Sequence, residues 1–167
     1  MNTQTEKDHD LVMQAGAGEN QYLTFILNDE EYGVDILRVQ EIRGWEPATS
    51  IPNSPAYVVG VINLRGMVIP IINLRKRFNL PDSEISSTTV IVIVKVLHDG
   101  DERTVGMVVD AVSEVYNVSD DVLRATPELG SSISTNFIKG LATIDNKMII
   151  LLDIDLLVNV GVLQISE

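Results

Sequence analysis

Two aspartate pairs are the first candidates for catalysis in this sequence. Asp120 and Asp121 are adjacent, and Asp153 and Asp155 are two residues apart. Paired carboxylates serve general acid–base or glycoside chemistry only at a defined spatial separation, which a sequence does not show. Aspartates are also common at helix N-caps and in turns. We therefore favour a structural role for both pairs.

Residue sets for metal, phosphate or nucleophilic chemistry are missing from the sequence. The only histidines are His9 and His98, and there is no cysteine. This excludes multi-histidine and cysteine-ligated metal sites, disulfide scaffolds and thiol catalysis. P-loop and G-x-S-x-G motifs are absent, and the G-x-G-x-x-G pattern that begins at Gly16 has Gln21 in its last position. We expect no catalytic residue, no cofactor and no metal, so the protein is predicted to act through its surfaces and not as an enzyme.

The charge of the chain is acidic and unevenly distributed. The 167 residues carry a formal net charge of −12, which argues against nucleic acid as a partner because its phosphates would be repelled. Residues 38–77, however, hold six basic residues against two acidic ones. A positive middle segment can attract an acidic protein partner. Within this segment, we expect Arg75-Lys76-Arg77 to be a solvated helix turn.

Both ends of the sequence are predicted to be tails. Residues 1–19 are acidic and polar, without the apolar run of a signal peptide, and are expected to be flexible. Residues 161–167 are expected to form a short C-terminal tail. Uncharged apolar stretches, such as those at residues 90–94 and 148–152, are strand-sized and far too short to cross a bilayer. We expect a cytoplasmic protein with no direct membrane insertion.

Valine and isoleucine concentrate in short runs. The chain contains 21 Val and 18 Ile, and β-branched runs broken by turn residues predict β-strands. We predict strands at residues 22–27, 32–35, 61–64, 67–72, 90–97, 104–109 and 147–152. Helix is predicted only as one turn at 36–39, one or two turns at 74–78 and a C-terminal helix at about 154–160. This pattern favours small closed β-barrels over an open parallel sheet.

The sequence also contains a weak internal repeat. Residues 33–42 align without gaps on residues 106–115, with Gly, Val and Glu at the same offsets. Residues 60–73 align on residues 140–153, which places the Arg65-Gly66 turn on Asp145-Asn146. Chance similarity between Val- and Ile-rich strands explains either match alone, but less readily both in the same order. The repeat predicts two related β lobes with pseudo-twofold symmetry.

Four segments resemble the signatures of CheW-type chemotaxis adaptor proteins. They are YGVDILRVQEIRG at residues 32–44, GVINLRGMVIPIINL at 60–74, VGMVVDAVSEV at 105–115, and FIKGL with MIILLD at 137–141 and 148–153. Together they span roughly residues 20 to 160 in the order that the family has. The charged hairpin loop at residues 98–103 is longer than the family pattern.

The resemblance implies a fold and a role. The fold is mainly β, with two pseudo-symmetric five-stranded β-barrel lobes that share a hydrophobic interface and with few short helices. A single domain would cover residues 20–160, with repeat units at about 22–80 and 88–155. The implied partners are the regulatory domain of the histidine kinase CheA and the cytoplasmic tips of methyl-accepting chemoreceptors. The adaptor would couple receptor state to kinase activity in membrane-associated arrays.

The same resemblance implies receptor-binding residues in or beside the groove between the lobes. They are Ile36, Val39, Glu41 and Arg65. Ile36 and Val39 are three residues apart and share a face if that segment makes a helical turn. From the residues alone, without the resemblance, we favour ordinary core positions for both. We predict that Arg65 pairs with Glu41. The kinase-binding residues stay unknown, but the resemblance places that surface on the barrel ends, where apolar side chains flank glycine-containing turns.

Two other functions stay open at this point. One is a CheW-like scaffold of another chemosensory system, such as one that controls twitching motility. The other, less favoured because no catalytic residue set is present, is a small β-barrel protein that binds or converts a small ligand.

Overall fold

Short strands make up most of the structure, a computed structural model that describes residues 19–125 and 137–158. Within these residues two 3₁₀ turns span Ile36–Arg38 and Asp120–Val122, and two helices are α1 (Leu74–Arg77) and α2 (Ile154–Leu157). The strands are β1 (Glu19–Leu27), β2 (Glu30–Asp35), β3 (Val39–Gly44), β4 (Val58–Leu64), β5 (Met67–Asn73), β6 (Val90–His98), β7 (Asp101–Val109), β8 (Ala111–Ser119), β9 (Leu123–Arg124), β10 (Ile138–Ile144) and β11 (Lys147–Leu152).

The predicted mainly-β class with few short helices is confirmed. Each predicted strand is present, but β3, β8, β9 and β10 are additional. The helix predicted at about 154–160 is present as α2 over Ile154–Leu157, and residues 159 and 160 lie outside the described residues. The predicted tails at 1–19 and 161–167 also lie outside them, apart from Glu19. Asp153 is the N-cap of α2 and accepts a hydrogen bond from Leu156 N, as expected for a structural aspartate.

The strands form two sheets that take strands from both sequence repeats. Sheet A has the order β8-β1-β2-β11-β10-β9, and sheet B has the order β3-β6-β7-β5-β4. Pairing is antiparallel except for β2 with β11 and β5 with β7. The chain crosses from sheet A to sheet B between β2 and β3 and returns between β7 and β8. The two lobes therefore do not coincide with the repeat units 22–80 and 88–155.

Each sheet curls because the chain that follows one edge strand pairs with the opposite edge strand. After β3, Thr49 and Val61 of β4 exchange two backbone hydrogen bonds of 2.9 Å. After β8, β9 pairs with β10, where Arg124 lies opposite Leu141. Sheet B has five strands, and sheet A has five plus the two-residue β9. The expected pair of barrel-like lobes is thus present.

Glycine is required where these closing segments pass over β4 and β10. Gly60 has a φ of +150°, and a Cβ built there would lie 2.1 Å from the carbonyl oxygen of Thr49. At the equivalent Gly140, a Cβ would lie 3.0 Å from the carbonyl oxygen of Arg124. Because backbone atoms cannot move aside as a flexible side chain can, a larger residue at Gly60 would push the closing segment away.

The described residues form three apolar cores. The largest lies between the sheets and includes Phe25 of sheet A and Met107 of sheet B, with Phe78 after α1. A second, wholly aliphatic core lies inside sheet B, and a third inside sheet A includes Tyr22 and Tyr116. The core between the sheets is the shared hydrophobic interface that the sequence predicts.

At each crossing, an arginine–aspartate pair caps the end of the strand that the chain joins in the new sheet, β6 at the first crossing and β1 at the second. β3 stops pairing with β6 at Val94. Beyond that point Arg38 donates to the carbonyl of Lys95 at 3.3 Å, and Asp155 accepts from Leu97 N at 2.7 Å. Arg38 and Asp155 also bind each other through two hydrogen bonds of 2.9 and 2.8 Å. Their side chains thus replace the missing strand partner.

The other crossing repeats this arrangement at the end of β1. Asp110 N donates to the carbonyl of Ile26 at 3.1 Å, and its carboxylate accepts from Asn28 N at 2.9 Å. Arg75 binds that carboxylate through Nε and Nη2, at 2.8 and 2.6 Å. The arginine here comes from α1, whereas at the first crossing the helix supplies the aspartate.

The solvated helix turn expected at Arg75-Lys76-Arg77 is wrong for both arginines. The Arg75 side chain is only 14% exposed because it binds Asp110. The Arg77 guanidinium lies 5.0 and 5.1 Å from the ring centroids of Tyr57 and Phe137 and donates to the carbonyl of Leu157. Such stacking and pairing hold both arginines at the interface between the sheets. Lys76 alone is exposed.

Substitution of Gly60 tests how sheet B is closed. Gly60→Ala is expected to lower the free energy of unfolding by about 1–3 kcal/mol, because the new Cβ overlaps the Thr49 backbone. Chemical denaturation measures the change. Gly44→Ala is the matched control, since no atom lies within 4 Å of a Cβ at that position. Equal stability of the two variants would contradict the proposed packing.

The Arg75–Asp110 pair predicts how stability depends on pH. The hydrogen bonds from Arg75 hold the pKa of the Asp110 carboxyl below its usual value, aided by Asn28 N and opposed by burial. A lowered pKa in the folded state stabilises the fold above the ordinary aspartate pKa of about 3.9, and this contribution disappears as the pH falls through the lowered value. Asp110→Asn should therefore be less stable than the unaltered chain at pH 7, by a margin that shrinks below about pH 4. Urea titrations across this range measure the margin, with the exposed Asp101→Asn as the charge control. A margin that does not change with pH would contradict this role.

Candidate functional site

The predicted pairing of Arg65 with Glu41 is present. Arg65 and Gly66 form the turn between β4 and β5, with φ values of +50° and +87°, and Asn63 accepts a hydrogen bond from Gly66 N at 2.8 Å. From this turn the Arg65 guanidinium donates to the Glu41 carboxylate on β3. Because β3 and β4 are the two edge strands of sheet B, the ion pair joins the edges of the curled sheet.

The surroundings of this pair make it a contact at the rim of the lobe. The Arg65 side chain is 70% exposed, whereas that of Glu41 is 28% exposed. Arg43 lies 3.9 Å from the Glu41 carboxylate and 3.2 Å from that of Glu46. The hydrogen bond from Arg65 holds the pKa of the Glu41 carboxyl below its usual value, so Glu41 is ionised at neutral pH. Arg65 therefore presents a fixed cation that stays largely in solvent.

Ile36 and Val39 lie at the crossing that leads into β3. Asp35 caps the 3₁₀ turn by accepting from Leu37 N at 2.9 Å, which confirms the predicted helical turn here. Both Ile36 and Val39 are half-buried and pack against the core between the sheets. Each side chain thus stabilises the fold and still has surface to offer a partner.

The sequence analysis missed two more exposed apolar residues in the same stretch. Leu37 is 87% exposed in the 3₁₀ turn, and Ile42 is 45% exposed on β3. The signal for Ile42 is its place in the alternation of β3, where Glu41 and Arg43 turn to the other face. Leu37 lies between residues that turn inward, and the sequence alone does not separate it from them.

The tip of the β4–β5 hairpin is also apolar. Met67 and Val68 follow the Arg65-Gly66 turn and are both more than half exposed. Met148, next to the equivalent turn between β10 and β11, is exposed to a similar degree. Beside the first hairpin, an open groove of about 470 Å³ is lined by residues of β3 to β7, including Lys95 and Glu102, which form an ion pair of 3.3 Å.

The described residues offer surfaces for binding more clearly than a catalytic centre. Among residues 19–125 and 137–158, no group of three or more His, Asp or Glu side chains could hold a metal ion. In the same residues, no helix has the length and apolar character needed to span a membrane. An exposed cation, a half-buried aliphatic pair and apolar hairpin tips suit contact with other proteins. The fold and the site together define a β-rich protein-interaction domain.

The chain belongs to the CheW-like family. The family model described as the CheW-like domain matches residues 21–161. A probable chemotaxis protein CheW of Rhizobium etli is 40% identical over 146 residues, which cover 87% of this chain and 92% of that protein. The chemotaxis protein CheW of Klebsiella aerogenes is 41% identical over 146 residues, with 86% of each chain covered. The family expected from the sequence motifs is confirmed.

A solved structure supports the same assignment. The crystal structure of the scaffolding protein TtCheW from Thermoanaerobacter tengcongensis matches with a TM-score of 0.75 and 37% sequence identity. The match covers 85% of this chain and 94% of that one. The arrangement of the two sheets is therefore the fold of a family member that is described as a scaffold.

Proposed function

We propose that this chain is a non-catalytic chemotaxis adaptor that links chemoreceptor cytoplasmic tips to the histidine kinase CheA. Its relatives are named chemotaxis proteins, and its structural neighbour is named a scaffolding protein. The observation that carries the proposal is the Arg65–Glu41 ion pair, which places an exposed cation on a family motif at the lobe rim. An adaptor needs two binding surfaces on one stable frame, and the described residues offer two candidates that adjoin at the β4–β5 turn.

The receptor surface comprises Ile36, Val39, Glu41 and Arg65, and Leu37 extends it. Chemoreceptor tips are helical hairpins in this family's systems, and an amphipathic helix binds by laying apolar side chains into an apolar groove. Ile36 and Val39 supply the apolar floor because their exposed parts lie at the crossing between the sheets. Arg65 and Glu41 supply charge at the rim, where they fix orientation and speed association.

The kinase surface is the tip of the β4–β5 hairpin. The CheA regulatory domain has the same double-barrel architecture in this family's systems, so barrel end can meet barrel end. Met67 and Val68 are the exposed apolar side chains at this end of sheet B. They point away from the core and can be buried only by a partner. Met148 occupies the equivalent place on sheet A, but Asp145 replaces Arg65 in the turn beside it. The two ends therefore present different charges to a partner.

This function places the protein in the cytoplasm and brings it to the membrane through its partners. Receptor binding would recruit it to membrane-associated arrays, and kinase binding would hold it there. Receptor state and kinase activity are then coupled because the adaptor contacts both proteins at once. A movement of the receptor tip is transmitted to the kinase through the packed sheets of the adaptor.

Substitution of Arg65 tests the receptor surface. Arg65→Ala is expected to reduce co-sedimentation with receptor–CheA complexes while the melting temperature stays unchanged, because the guanidinium is 70% exposed. Arg124→Ala is the matched control, since Arg124 is an exposed arginine of sheet A. The control should keep both binding and melting temperature. Unchanged binding of Arg65→Ala, or an equally large loss of binding and stability, would contradict an interface role.

A further inference from the structure

Three exposed leucines lie around the Arg38–Asp155 ion pair. Leu37 of the 3₁₀ turn is 87% exposed, Leu97 of β6 is 46% exposed and Leu156 of α2 is 49% exposed. Large apolar side chains that are scattered singly over a surface need no explanation, but these three lie on neighbouring elements beside one ion pair.

The ion pair holds the backbones of these three residues together. Leu37 and Leu156 directly adjoin Arg38 and Asp155 in the chain. Asp155 accepts from Leu97 N at 2.7 Å and binds Arg38 at 2.8 Å. One carboxylate thus ties the 3₁₀ turn, the end of β6 and the start of α2 to a single point.

The pseudo-symmetry shows that the fold itself does not require leucines there. At the other crossing, Asp110 corresponds to Leu37, because residues 106–115 align on residues 33–42. Lys76 of α1 corresponds to Leu156 of α2, and Asn28 corresponds to Leu97. Asn28 and Leu97 correspond in that the backbone N–H of each binds the capping carboxylate, although Asn28 lies in a turn with a φ of +51° and Leu97 lies in β6. Asp110 is itself the capping carboxylate of that crossing, whereas Lys76 and Asn28 show that polar residues occupy the other two places in a crossing with a comparable set of hydrogen bonds. Among these corresponding positions, leucines occur only at the crossing with Arg38 and Asp155, so an apolar partner can bind there.

We propose that Leu97 and Leu156 extend the receptor-binding surface, so that a chemoreceptor helix lies across the Arg38–Asp155 pair. This inference rests on the proposed function. Continuity argues for the receptor helix as the occupant, since Leu37 and the half-buried Ile36 belong to the same 3₁₀ turn. Arg38 and Asp155 neutralise and hydrogen-bond each other, so an apolar helix face can cover this pair without leaving either charge unpaired, while Asp35, Lys139 and Asp153 line the polar pocket beside it.

The variants that test this proposal take their residues from the symmetric crossing. Leu97→Asn and Leu156→Lys, combined in the full chain, introduce the side chains that the fold carries at Asn28 and Lys76. The control is Ile85→Asn, because Ile85 is half exposed in the loop before β6. Three quantities are measured for each chain: affinity for a purified chemoreceptor cytoplasmic domain, affinity for a purified CheA regulatory domain, and melting temperature.

The double variant is expected to bind the receptor domain at least about tenfold more weakly, with kinase affinity and melting temperature unchanged. The control should match the unaltered chain in all three. Unchanged receptor affinity would overturn the proposal. A loss of kinase affinity instead would assign the leucines to the kinase, and a fall in melting temperature would show that the chain covers them itself; either result also overturns it.

Arg65→Ala, measured beside these variants, separates this inference from the proposed function. If Arg65→Ala weakens receptor binding and the double variant does not, only the extension over Leu97 and Leu156 fails. If the unaltered chain does not bind the receptor domain at all, the proposed function fails and this inference with it.

Discussion

The architecture depends on how the chain leaves one sheet and enters the other. A strand that loses its neighbour midway exposes backbone donors and acceptors beside the core, and these must find partners. At both crossings an aspartate and an arginine meet this need. Asp155 and Arg38 cap the end of β6, while Asp110, bound by Arg75, caps the end of β1. The exchange of strands between the repeats, and the core buried between the sheets, are possible because these ends are satisfied.

The two crossings share a geometry but reverse its charges. In one, the helix supplies Asp155 and the crossing supplies Arg38; in the other, the helix supplies Arg75 and the crossing supplies Asp110. The hydrogen-bonding demand is the same at both, so either order of charges is acceptable to the fold. The residues around each pair are then free to differ. One flank carries Leu37 and its apolar neighbours, and a nearly symmetric frame can thus present different surfaces to different partners.

Local pattern and repeat carried much of the fold prediction. Val- and Ile-rich runs, tight turns such as Arg65-Gly66 and the aligned repeats predicted most strands and the two lobes. The Arg65–Glu41 pair was predicted among residues that the family resemblance named. Strand β3 was not predicted, because half of its residues face solvent and its sequence includes the charged Glu41 and Arg43, a pattern that is typical of a polar loop. The exchange of strands between the sheets was not predicted from the sequence, because it depends on pairing between residues that are far apart in the chain. Arg75 and Arg77 were wrongly predicted to be solvated, because their partners Asp110 and Tyr57 belong to other parts of the chain.

An adaptor must hold both of its partners at once, and this is the central claim. Analytical ultracentrifugation of the unaltered chain with a purified CheA regulatory domain and a purified chemoreceptor cytoplasmic domain tests it directly. The receptor surface runs from the crossing between the sheets to Arg65, where it adjoins but shares no residue with the kinase surface at Met67 and Val68. A complex that contains all three components is therefore predicted, with each partner still bound when the other is saturating. Displacement of one partner by the other, or no complex at tens of micromolar, would contradict the claim.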